Sequence, residues 1–341
     1  MLAASIAGLL VASSALAGGF LIASESNPDL ITHPDGYTGS GGEVEVTLCI
    51  DPASANAAAM EISVRNIATT INDLQAISPN LRSGGNNNIP SGNFDFESVA
   101  LHEVGHCIGL AHPNLGSQSG VTSTNSTNAG NGANNVFNED DGADNVFGSA
   151  DDVRGDDVNL HWFRVADNNP FVLGSIVDVS TYSVELGDLP GGDLFPANAD
   201  RTVGSSIFGV VGTEAVMQQG SLADEDQRQW AADDVAMLRL GMSGVDEVQG
   251  TADDYTIRAR YAGLTTACDV VLRFDNAATG FARCSVSGSS INTDHFQITS
   301  ATASFNTGFN WFFNDVLATE GLVFSDGFES GSTSAWDSVV P

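Results

Sequence analysis

Residues 102–112 read HEVGHCIGLAH, and no other stretch restricts what this chain can fold into as tightly. His102 and His106 stand four apart, which on a helix puts both imidazoles on one face, where they can meet one metal ion from the same side. Glu103 follows the first His directly and can sit beside the ion's open position without being a ligand. Gly109 lets the helix end in a left-handed turn that a Cβ would disfavour. The chain then doubles back, and His112 can supply a third nitrogen. Three His ligands leave a fourth position for water, the arrangement of a catalytic zinc site; closed structural sites have four protein ligands. Five fixed residues at set spacing arise by chance in a chain of this composition and length roughly once in 10^5.

The segments around this motif alternate between strand and helix signals. Residues 43–50 (EVEVTLCI) alternate and are β-branched, which predicts a strand. From about residue 55 to 77, Met60, Ile62, Val64, Ile67, Ile71 and Leu74 recur at helical spacing. Asp95 is placed to cap a second helix from Phe96 to about Leu110. Residues 226–240 predict a third helix, stopped by Gly241. Short strand-like runs occur at 171–179 and 205–211, and alternating strands dominate from 255 to 317.

The eleven residues match HExxHxxGxxH, so the chain resembles the metzincin clan of zinc endopeptidases. That resemblance implies a Met-turn downstream, and Met217 in EAVMQQG fits it. The DDVA at 233–236 and the flanks FESVALHEVGHCIGLAHPNL are similar to matrixin-like members. Two features depart from the family plan. Met217 lies 105 residues beyond His112, which implies an insertion spanning about 114–205. Gln219 stands where astacins and serralysins place a Tyr, so no tyrosine ligand is expected.

The expected fold class is therefore α+β. A metzincin-like catalytic domain at 43–246, a twisted sheet with three helices, would carry the insertion. A small all-β domain at 247–322 and a tail at 323–341 would follow. Residues 1–17 read as a secretory signal peptide ending in Ala15-Leu16-Ala17, and 18–42 as a flexible lead or short propeptide. Bacterial export to an extracellular, oxidising compartment would follow, with no membrane span after leader removal, and a monomer is expected.

The resemblance implies zinc-dependent hydrolysis of protein or peptide substrates. His102, His106 and His112 would hold the metal, Glu103 would act as general base, and Met217 would floor the site. The rival reading is a non-catalytic, calcium-stabilised surface or adhesion protein that kept the fold; the intact Glu103 argues against it. No GxSxG, GxGxxG or P-loop supports another chemistry.

Net charge is −32, from 43 acids against 11 bases, every one of them Arg. So negative a surface repels phosphate, which excludes nucleic acid as a partner. The frame GxDxVxGxADD occurs twice, at 142–153 and 244–255, within acidic stretches. Asp140, Asp141, Asp144, Asp151, Asp152, Asp246, Asp253 and Asp254 are thus candidate calcium ligands. His33, His161 and His295 have no partner spacing and are expected to be structural or surface residues. Cys268 and Cys284, 16 apart, are expected to bridge, leaving Cys49 to pair with Cys107. The alternative for Cys49 is an inhibitory thiolate on zinc.

Overall fold

The computed structural model describes residues 20–22, 30–74, 88–112, 215–218, 221–276 and 280–318, together with the backbone of five short strands between 123 and 183. The leader, the strand-like runs at 171–179 and 205–211, and the tail at 323–341 lie outside the described residues. In chain order the first elements are β1 (Ile31–His33), β2 (Gly42–Ile50), α1 (Ala57–Asp73), β3 (Phe94–Asp95) and α2 (Phe96–Cys107). The short strands β4 (Ser123–Asn125), β5 (Val136–Asp140), β6 (Val153–Gly155), β7 (Phe163–Arg164) and β8 (Tyr182–Ser183) follow. Then come α3 (Ala232–Met242), β9 (Tyr255–Leu264), β10 (Val270–Phe274), β11 (Ala282–Ser290), β12 (His295–Phe305) and β13 (Trp311–Phe312).

The molecule is α+β, built on a mostly parallel six-stranded sheet. Its path is β1-β12-β10-β2-β9, and β11 pairs antiparallel with the other side of β12. Ala303 of β12 has Leu272 on one side and Cys284 on the other, which makes β11 an edge among the described residues. Met60, Val64, Ile67 and Ile71 of α1 are buried at spacings of three and four, one apolar stripe laid on the sheet. α2 is buried nearly all round, so it runs through the interior. Its cap is the expected one: Asp95 accepts from the Ser98 N–H at 3.0 Å, and Arg228 grips Asp95 bidentately at 2.8 and 2.9 Å.

Four sequence expectations are corrected. The strands after residue 247 do not form a separate β domain. β9, β10 and β12 interleave with β1 and β2, and Val46, Leu48, Val104, Met217, Ile257, Leu272 and Phe305 share one core. A strand of alternating pattern buries only one face, and α1 and α2 supply the cover that four isolated strands would lack. The third helix begins at Ala232, six residues later than expected, because 226–231 is spent reaching across to the α2 cap.

The lead at 18–42 is not loose along its described part. Phe20, Ile31 and Tyr37 are buried, and β1 pairs with the start of β12. Finally, the disulfides are Cys49–Cys268 and Cys107–Cys284. Sheet order forbids the expected pairing. β10, which Cys268 leads into, and β11 are separated by β12, about 10 Å at two strand spacings. A bridge tolerates at most about 7 Å between Cα atoms. Cys268 instead lies in the short connection that folds back over the end of β2, beside Cys49, where Asp269 also binds Thr47. Its bond to Cys268 leaves Cys49 no thiolate to offer a metal.

Candidate metal centre

α2 presents its residues in two stripes. His102 and His106 form one, Glu103 and Cys107 the other, one residue further round. The helix ends at Cys107, and Gly109 turns the chain with φ +118°. A Cβ at Gly109 would also run into the Thr32 carbonyl of β1, so the position needs glycine twice over. The turn brings His112 back beside the first two rings.

The three Nε2 atoms converge. His106 Nε2 lies 3.0 Å from His102 Nε2 and 3.2 Å from His112 Nε2. The tautomers follow from the neighbours. His102 Nδ1 is 2.6 Å from the Val216 carbonyl and His106 Nδ1 is 2.8 Å from the Leu110 carbonyl. A carbonyl only accepts, so each Nδ1 carries the proton and each Nε2 turns a bare lone pair inward. Two bare lone pairs at 3.0 Å repel unless a cation lies between them. Burial lowers His102 to about 4, and burial with the adjacent His102 lowers His106 to about 3. His112 is also held well down, first by burial and then by His106. Neutral imidazoles are the form that ligates. The three side chains are a group able to hold one metal ion.

Glu103 is buried beside this group, and its Oε2 has no hydrogen-bond partner. Burial raises its carboxyl to about 8, against the pull of the Cys284 N–H and of Arg283. Met217 lies under the helix: a Cβ at Gly105 would strike its Sδ, so only glycine lets the sulfur reach the backbone between His102 and His106. The turn at 215–218 is held by Asp234, whose carboxylate accepts from Val216 N–H at 2.9 Å, Met217 N–H at 3.1 Å and Ala231 N–H at 2.9 Å. Asp234 thereby fixes the Val216 carbonyl that orients His102. Residues 20–22 brace the other side, where Leu21 N–H donates to the Gly109 carbonyl at 2.8 Å and Phe20 bridges Leu110.

Sequence reasoning placed the three His, Glu103 and Met217, and the structure brings all five together. It missed the carbonyls of Val216 and Leu110, the role of Asp234, and the Cys284 N–H. Backbone groups leave no trace in residue identity, and Asp234 was visible only within DDVA. His33 and His295, which have no partner spacing in sequence, form a buried pair at 2.8 Å, with Tyr255 Oη 3.1 Å from the other nitrogen of His33. His161 and Gln219 lie outside the described residues.

Of the candidate calcium ligands, Asp246, Asp253 and Asp254 are brought within 4.8 Å of one another. Their oxygens accept from the loop's own donors, among them Val245 N–H, Val248 N–H, Gly250 N–H and Thr251 Oγ1. The side chains of Asp140, Asp141, Asp144, Asp151 and Asp152 lie outside the described residues.

The chain matches no protein-family model, no curated protein and no solved structure. Among the described residues, no helix is long and apolar enough to cross a membrane.

Proposed function

We propose that the protein is a zinc-dependent endopeptidase of the metzincin type. The observation that carries this reading is the convergence of three neutral imidazoles beside a buried carboxylate with one unpartnered oxygen. Two nitrogens about 2.05 Å from one zinc at the tetrahedral angle are about 3.3 Å apart, close to the separations here. The donor set is all imidazole, which suits zinc over calcium or magnesium. Three protein ligands leave room for water. The sheet with three helices, and the Met217 turn below the ligands, also support the metzincin resemblance.

Zinc held by His102, His106 and His112 would acidify a bound water and polarise a peptide carbonyl. The protein's own part is then clear. Glu103 takes a proton on Oε2 and returns it to the leaving amine. Burial raises its affinity for a proton, and a cation held by the three imidazoles would lower it again, so the group could be ionised before the step and protonated after it. The Val216 and Leu110 carbonyls keep Nδ1 protonated on His102 and His106, so both rings present Nε2 throughout. Asp234 holds the first of those carbonyls still.

Glu103→Gln tests the assignment. The variant should bind one zinc per chain and lose about 10^2–10^4-fold in peptide hydrolysis. Wild-type turnover of casein by zinc-loaded Glu103→Gln would end the endopeptidase reading.

A further inference from the structure

Glu103 and Cys107 stand four positions apart, which places them on one face of α2, turned toward β11. Cys284 of β11 meets both. Its sulfur is bonded to Cys107, with the Cα atoms 5.7 Å apart, and its backbone N–H is hydrogen-bonded to the Glu103 carboxylate. That N–H is thus spent on a side chain of α2 and not on a strand. Among the described residues β11 has only β12 beside it, and their register shifts between Ser287 and Gly288. An edge strand of this kind has nothing in its own ladder to fix its distance from α2. The covalent link does so, at the residue whose amide the carboxylate uses.

We propose that the Cys107–Cys284 bridge is a positioning device for Glu103. It clamps β11 on α2 so that the Cys284 amide holds one carboxylate oxygen and leaves the other facing the reaction. The inference rests on the reading of Glu103 as general base. It gives the second disulfide a different task. Cys49–Cys268 pins the connection between β9 and β10 over β2, and neither of its residues belongs to α2. The bridges span 177 and 219 residues, so chain entropy assigns them nearly equal stabilisation. A purely structural role would make their removal equivalent.

The experiment compares Cys107→Val/Cys284→Ala with Cys49→Ala/Cys268→Ala. Valine fills the space of the buried Cys107 sulfur, which keeps the first variant foldable. Zinc content, peptide hydrolysis and amide exchange at Cys284 by NMR are measured below both melting points. Both variants should melt lower and keep one zinc. Only the first should lose at least tenfold in kcat and exchange its Cys284 amide at least tenfold faster, and Glu103→Ala should speed that exchange equally. Unchanged exchange and kcat in the first variant, or equal kcat losses in both, would overturn the clamp. Should Glu103→Ala remain active, the general-base reading fails by itself, while the exchange rates still decide whether the bridge holds the amide on the carboxylate. If neither foldable variant can be obtained, a dithiol-reduced wild type whose Cys284 amide stays slow overturns the proposal as well.

Discussion

Gly105 carries no functional group, yet its missing Cβ lets Met217 lie against the helix between His102 and His106. Gly105→Ala must push Met217 away or tilt α2, and overpacking of this sort costs about 1–3 kcal/mol. The expected result is a lower melting temperature together with weaker zinc binding in a chelator competition; an unchanged zinc affinity would detach Met217 from the centre. His112 has the opposite character, since in the proposed centre its side chain would be a ligand and little else. His112→Ala leaves a two-point site, so zinc should fall well below one per chain by elemental analysis while the fold survives. Retention of stoichiometric zinc would contradict the three-His assignment.

Helix α2 is fastened at its start as firmly as at its end. Glu97 in its first turn is buried and accepts from Asn66 of α1 at 2.9 Å and from Asn314 at 2.8 Å, tying the segment after β13 to both helices. Burial, only partly offset by the two amides, lifts Glu97 to about 7. The folded protein therefore holds this proton more tightly than the unfolded chain. The group's contribution to stability is fullest at acid pH and is lost as pH rises from about 4.5 through 7. Glu97→Gln should flatten that limb and melt higher than wild type at pH 8; an unaltered pH dependence from 5 to 8 would show that Glu97 is ionised throughout. In the loop between α3 and β9, the same reasoning about carboxylates leads to calcium. If Asp246, Asp253 and Asp254 take up the ion, millimolar calcium should raise the melting temperature of zinc-loaded protein, and Asp253→Asn should remove the gain. Identical curves with calcium and with a calcium-selective chelator would mean that the loop's own N–H groups satisfy it.

At the scale of the whole molecule, the two ends of the described chain are woven into one sheet. A chain stopped at Asp246 would lose β9 to β13, ten of the 38 buried core residues and both disulfide partners of the N-terminal half. It should show no cooperative unfolding transition and bind no stoichiometric zinc. A folded, zinc-binding 1–246 fragment would restore the idea of a separate C-terminal domain. The weave also buries His33 against His295, where burial and the neighbouring imidazole lower His33 to about 3, with Asp253 opposing. The unfolded chain takes up that proton first, so stability is full above about 6.5 and falls as pH drops toward 3, by up to about 1.4 kcal/mol per pH unit. Denaturant titrations of metal-free protein at pH 7, 5 and 4 should show the loss, with a shallower slope for His33→Leu.

The centre was legible in the sequence because helical spacing is local. Residues four apart share a face whatever surrounds them, and a glycine at the end of the run marks where the third ligand returns. The helices α1 and α2 were legible for the same reason, through apolar periodicity and the Asp95 cap. What residue identity could not express was pairing at long range. Nothing in the alternation of β9 to β12 distinguishes a sheet of their own from one that accepts β2 between β10 and β9 and β1 beside β12, since either buries one face. The disulfides followed that choice: Cys268 and Cys284 are near in sequence, but the interposed β12 sets them too far apart to bond. His33 and His295 met for the same reason, across 262 residues. Local spacing brought the three imidazoles together, and strand order decided what holds them.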